Sequence, residues 1–154
     1  MKRITKLAIT GSIGSGKSVV SRMMNVLGIP VYDCDINAKR LMTENGFVVN
    51  ELKRMFGEEC YEDDGTLNRQ YIASRIFSDK ENIERVNSLV HPMVKSDFES
   101  WAIRQNTSVV AVETAILYES GLVESVDKVL VVWAEKETAI RRTMARSGMN
   151  RGQV

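Results

Sequence analysis

The sequence has 154 residues, 44% of them hydrophobic and 27% charged, which suits one folded globular domain and excludes disordered, collagen-like and coiled-coil chains. A chain of this length buries roughly 68–70% of its unfolded surface, so its core needs no disulfide or metal staple. Twenty-one basic residues against twenty acidic ones leave a net charge of +1. That balance argues against a dedicated nucleic-acid or anionic-membrane binder.

The first residues carry Lys2 and Arg3, but the apolar run Leu7–Ile9 is too short for a signal-peptide core. No stretch approaches the ~18 apolar residues of a membrane span, so a cytoplasmic protein with no membrane partner is expected. Leu7-Ala8-Ile9-Thr10 reads as a buried parallel strand ending in a glycine loop. Lys17 to Leu27 places Val19, Val20, Met23, Met24 and Leu27 at helical spacing, and Gly28 stops that helix. Ile29-Pro30-Val31-Tyr32 predicts a second strand that ends at Asp33 and Asp35.

Residues from about 35 to 106 read as mostly helical with breaks at Asn45-Gly46 and at Glu62-Asp63-Asp64-Gly65. Ser78-Asp79 predicts an N-cap for a long helix to about Gln105, with Pro92 as a kink or restart. Val109-Val110-Ala111-Val112, ending at Glu113, and Val129-Leu130-Val131-Val132-Trp133 predict two more strands. Ala134 to Arg146 predicts a last helix that carries Arg141, Arg142 and Arg146. Strands alternating with helices give an α/β fold, a mostly parallel sheet covered on both faces. The eight methionines, Trp101 and Trp133 read as core packing, and Cys34 and Cys60 as buried or incidental thiols.

The strongest chemical signal is Gly11-Ser12-Ile13-Gly14-Ser15-Gly16-Lys17-Ser18, a complete G-x-x-x-x-G-K-[ST] between a predicted strand and a predicted helix. Chance produces this match in on the order of one in a few hundred chains of this length. The glycines let successive N–H groups turn inward around phosphate oxygens, and the helix N-terminus adds its dipole. The stretch Gly11, Gly14, Ser15, Gly16, Lys17, Ser18 and Val19 is therefore the expected nucleotide-binding segment. Lys17 supplies charge to the β- and γ-phosphates, and the Ser18 hydroxyl is a Mg²⁺ ligand. ATP and Mg²⁺ are the expected cofactors. No guanine-reading N/TKxD motif accompanies the loop, which weakens a GTPase reading. Asp33 and Asp35 follow the second strand, where open α/β sheets place ligand groups.

With these motifs the chain resembles the dephospho-coenzyme A kinases along nearly its whole length. The family's T-G-G-I-G-S-G-K-S corresponds to Thr10–Ser18, and its L-G-x-x-V-x-D-A-D to Leu27-Gly28 and Val31-Tyr32-Asp33-Cys34-Asp35. Its F-G and D-G-x-L-x-R correspond to Phe56-Gly57 and Asp64-Gly65-Thr66-Leu67-Asn68-Arg69. Its H-P is His91-Pro92, and its D-x-P-L-L-F-E is similar to Glu113-Thr114-Ala115-Ile116-Leu117-Tyr118-Glu119. The helical R-x-x-x-R matches Arg142 and Arg146, followed by Ser147-Gly148-Met149. The chain departs from the pattern at Ser12, Cys34, Glu113 and Ala115.

The resemblance implies a P-loop kinase-like three-layer α/β/α fold in one domain over 1–154, with a helical acceptor-binding region at about 35–106. It implies ATP-dependent phosphorylation of the ribose 3′-hydroxyl of dephospho-coenzyme A. Asp33 is carried over as the group that orients or deprotonates that hydroxyl; a helix N-cap is the alternative reading of the same residue. Arg69 is carried over to substrate phosphates, or is a solvated helix arginine, and His91 to the substrate's nucleotide part, or is a helix-capping or packed histidine. Glu113 ends the central strand where a Mg²⁺ carboxylate is expected. Arg142, ahead of Arg146, is the candidate for the transferred phosphate, or else solvates a helix end. The family continues past residue 154 into the rest of a lid helix and a last strand, so a shortened lid is expected here. Another small-molecule or nucleoside kinase, and a nucleotide-binding module with little transferase activity, stay open as alternatives. Oligomeric state is not legible in the sequence.

Overall fold

Four short β-rich runs form one sheet in a computed structural model that describes residues 3–77, 79–148, 150 and 152. The strands are β1 (Thr5–Thr10), β2 (Val31–Asp33), β3 (Val109–Glu113) and β4 (Lys128–Val131), in the order β2-β3-β1-β4. Every pairing is parallel: Ile9 and Asp33 both register against Glu113, and Thr10 against Val131. Chain order reverses between β1 and β3, the position at which open parallel sheets bind ligands beyond their strand ends.

The helices are α1 (Lys17–Val26), α2 (Cys34–Glu44), α3 (Gly46–Phe56), α4 (Arg69–Phe77), α5 (Lys80–Ile103) and α6 (Lys136–Ser147). Two 3₁₀ turns lie at Glu58–Cys60 and Leu122–Ser125. The chain forms two compact units, residues 1–34 with 98–154, and residues 35–97.

In the first unit the sheet is the core. Ala8, Ile9, Val110, Ala111 and Val112 are fully buried, as expected of strands covered on both faces. On one face Tyr32 packs against Phe98 and Trp101 of α5, at ring-centroid distances of 5.5 and 5.4 Å. On the other, Ser18 and Ser21 of α1 bond to Glu113 of β3. Helix–sheet–helix layering follows from those two sets of contacts.

In the second unit Val48, Leu52, Cys60, Ile72, Val86, Val90 and Val94 form a small core. Asn45 caps α3 by accepting from the amides of Phe47 and Val48. Tyr61 and Leu67 form an antiparallel bridge around the turn at Gly65, and the Tyr61 hydroxyl donates to the carbonyl of Met42. Its burial pushes the phenol up to about 12. Arg40 pairs with Asp97 at 2.5 Å, tying α2 to α5.

Several packing expectations fail. α1 buries Ser21, whereas Val19, Met23 and Leu27 are exposed. The phosphate loop fixes where the helix starts and hence its rotation, so Ser21 takes the buried position while Val20 and Met24 of the apolar stripe are only half-buried. β4 ends at Val131, and Trp133 lies beyond it with 75% of its surface exposed. β4 is the outer strand of the sheet and Val129 and Val131 are exposed as well, so its apolar run is not a buried one. None of the six described methionines is buried; each is half-buried or exposed. Helix α5 runs unbroken through Pro92 rather than restarting there. Ser78 lies outside the described residues; Asp79 caps α5 by accepting from the amide of Glu81. Met149 and residues 151, 153 and 154 also lie outside them.

Candidate active site

The loop from Gly11 to Gly16 leaves β1 and enters α1 through three glycines with positive φ, Gly11, Gly14 and Gly16. Two of them are demanded by close approach. A Cβ on Gly11 would meet the carbonyl oxygen of Val132 at 2.1 Å, and one on Gly14 the carbonyl oxygen of Ala139 at 2.3 Å. Helix α6 therefore rests on the loop through its buried Ala139–Thr143 face, and Arg142 follows from that seating. Its guanidinium lies 3.9 Å from the position a Gly16 Cβ would take.

The loop turns its donors inward. The amides of Gly14, Gly16 and Ser18 find no acceptor among the described residues, while Ser15 donates to the carbonyl of Ser12. Unpaired amides at a helix N-terminus, with the helix dipole behind them, form an anion site. Lys17 spans the loop, its Nζ donating to the carbonyls of Gly11 at 2.6 Å and Ser12 at 3.0 Å. The hydroxyl of Ser15 is buried without a partner where the loop folds under Gly11. Val19, the next residue of α1 after Ser18, is exposed.

Two carboxylates flank this anion site. Glu113 ends β3, and Ser18 Oγ donates to its Oε1 at 3.1 Å. Asp33 ends β2 in register with Glu113, so the two side chains leave the sheet on one face. A hydroxyl and a carboxylate beside unpaired amides are hard oxygen donors, which fit Mg²⁺. Among the described residues no three His, Cys, Asp or Glu side chains converge. Two protein ligands suit a Mg²⁺ that takes the rest of its shell from phosphates and water.

The first unit thus brings together the loop, Lys17, Ser18, Asp33, Glu113 and Arg142. Arg69 and His91 belong to the second unit, where Arg69 opens α4 and His91 lies half-buried within α5. Burial pushes the His91 imidazole below its ordinary value of 6.5. Arg146 is exposed in the last turn of α6.

One residue of the site escaped the sequence reading. Ser21, buried in α1, donates to Glu113 Oε2 at 2.5 Å. The apolar positions around it drew attention to packing, but Ser18 and Ser21 stand three apart on one helix face, and that spacing was the available signal.

Comparison with known proteins follows the same lines. The family model described as dephospho-CoA kinase matches residues 5–154. The dephospho-CoA kinase of Porphyromonas gingivalis is 44% identical over 142 residues, covering 92% of this chain and 70% of that protein. That of Salinibacter ruber is 38% identical over 154 residues, covering 98% of this chain and 77% of that protein. The crystal structure of TT1252 from Thermus thermophilus superposes with a TM-score of 0.83 at 36% identity, over 99% of this chain and 77% of that one. A dephospho-CoA kinase from Campylobacter jejuni, at 24% identity and a TM-score of 0.69, shares the fold over 96% of this chain and 75% of that one.

Proposed function

The chain belongs to the dephospho-CoA kinase family, and from that premise we propose that it moves the γ-phosphoryl group of ATP to the ribose 3′-hydroxyl of dephospho-CoA. The products are CoA and ADP, and the reaction is a step of CoA biosynthesis. The observation that carries this reading is the convergence, at the carboxyl ends of parallel strands, of a donor-lined phosphate loop with Lys17, Ser18, Asp33 and Glu113.

In this reading the loop amides bind the β-phosphate and the Lys17 ammonium lies against the β- and γ-phosphates. Asp33 accepts the proton of the attacking hydroxyl as its oxygen bonds to the γ-phosphorus. The bond from that phosphorus to the bridging oxygen then breaks, and ADP leaves. A carboxylate beside an otherwise neutral alcohol raises its nucleophilicity as the bond forms. Arg142, held by the seating of α6 on Gly14, offsets charge on the transferred group. Ser18 and Glu113 would hold Mg²⁺, which supplies positive charge to the phosphate oxygens. Arg69 is assigned to substrate phosphates, which a guanidinium binds bidentately, and His91 to the nucleotide portion of the substrate.

ADP release across a panel of dephospho-CoA, nucleosides and shikimate-like alcohols tests this assignment. Turnover should depend on dephospho-CoA, and turnover confined to another alcohol would replace the acceptor while keeping the nucleotide site.

A further inference from the structure

A serine in the middle of a helix ordinarily faces solvent or bonds back to a carbonyl of the preceding turn. Ser21 does neither. It is 6% exposed, and its hydroxyl donates 2.5 Å to Glu113 Oε2. The other carboxylate oxygen, Oε1, accepts from Ser18 at 3.1 Å. Both serines lie on one face of α1, one turn apart, so a single rigid helix grips both oxygens of a single carboxylate.

That grip matters because of what stands at position 113. A glutamate side chain has one more rotatable bond than an aspartate, and ordering it costs more entropy. Left alone at the end of β3, its carboxylate would sample several orientations. The bond from Ser21 is part-buried and charge-assisted, the stronger class of hydrogen bond. It pins Oε2 and leaves Oε1 turned toward Ser18, the residue at the mouth of the phosphate loop.

We propose that Ser21 is a positioning residue: it holds Glu113 in the one orientation in which Oε1 and the Ser18 hydroxyl present themselves together to a divalent cation. The inference rests on the reading of Gly11–Ser18 as the nucleotide site and adds to it a residue that touches neither nucleotide nor cation. Partners that orient metal ligands typically change metal affinity by about 10- to 100-fold when removed.

The test is the affinity for Mn²⁺, followed by electron paramagnetic resonance in the presence of a non-hydrolysable ATP analogue, on the whole chain and three variants. Ser21→Ala should weaken Mn²⁺ binding about tenfold, with metal-free binding of the analogue nearly unchanged. Ser21→Cys keeps the volume but donates weakly, and the same loss is expected of it if the alanine variant folds poorly. Ser21→Thr keeps the hydroxyl and should retain most of the affinity. Wild-type Mn²⁺ affinity in the alanine or cysteine variant would overturn the inference and leave the nucleotide site intact. Equal loss in the threonine variant would also overturn it, because packing and not the hydroxyl would be responsible. Failure of the unsubstituted chain to bind the analogue at all would overturn the site reading and the inference together.

Discussion

Lys17 and Asp33 are expected to fail in different ways, and the difference separates their roles. Lys17 carries charge to the phosphates, so Lys17→Ala should lower kcat about 10²–10³-fold, the range for removing one preorganised donor. Asp33→Asn keeps the size but cannot take a proton. It should lower kcat by about 10²–10⁴-fold with the KM for ATP nearly constant. Steady-state kinetics on both variants decide the matter; a collapse of ATP binding in Asp33→Asn would move Asp33 to the metal or the fold. His91 makes a separate prediction about stability. Burial lowers its pKa in the folded protein, so the unfolded chain takes up the proton first as the pH falls. Its contribution to stability is therefore complete above the ordinary value of 6.5 and declines as the pH drops through and below it. Melting temperatures from pH 7.5 to 5 should fall less steeply for His91→Gln than for the unsubstituted chain. Identical slopes would show that His91 keeps water around it in the fold.

At the level of elements, the seating of α6 on the phosphate loop leaves no room for a side chain at Gly14. Gly14→Ala puts a Cβ 2.3 Å from the backbone of Ala139, and a helix backbone has little room to give. Gly28 has a similar φ, +78° against +74°, but nothing lies within 4 Å of its missing Cβ. Both alanine variants carry the cost of a left-handed residue, roughly 1–2 kcal/mol. Only Gly14→Ala should also displace α6, withdraw Arg142 and weaken ATP binding. Calorimetric melting and ATP titration compare the two, and equal ATP affinities would mean that α6 does not depend on the loop for its place. The loop and its glycines were legible in the sequence because the motif encodes a backbone shape. The turn at Gly65 and the break at Asn45 were legible because turn and capping chemistry is local. The rotation of α1 was not, since hydrophobic spacing registers where apolar residues fall, and a covalently fixed start overrode it. The exposure of Trp133 was hidden for a similar reason: a β-branched run looks the same on an outer strand as in the middle of a sheet.

Across the whole molecule, the sheet order β2-β3-β1-β4 does what no single motif does. It places Asp33 and Glu113 in register and beside the end of β1, although they are far apart in sequence. The sequence suggested both carboxylates from strand ends and from the family pattern; only the crossover order made them neighbours. No described helix is long and apolar enough to cross a membrane. The chain spans 70–77% of the length of the relatives compared above. The proposed transfer of the γ-phosphoryl group to a ribose hydroxyl is the step on which the other assignments depend. It is tested most directly by phosphorus NMR of the chain incubated with ATP, Mg²⁺ and dephospho-CoA. A new 3′-phosphomonoester resonance should grow in step with ADP. Growth of inorganic phosphate with ADP, and no new monoester, would contradict the claim.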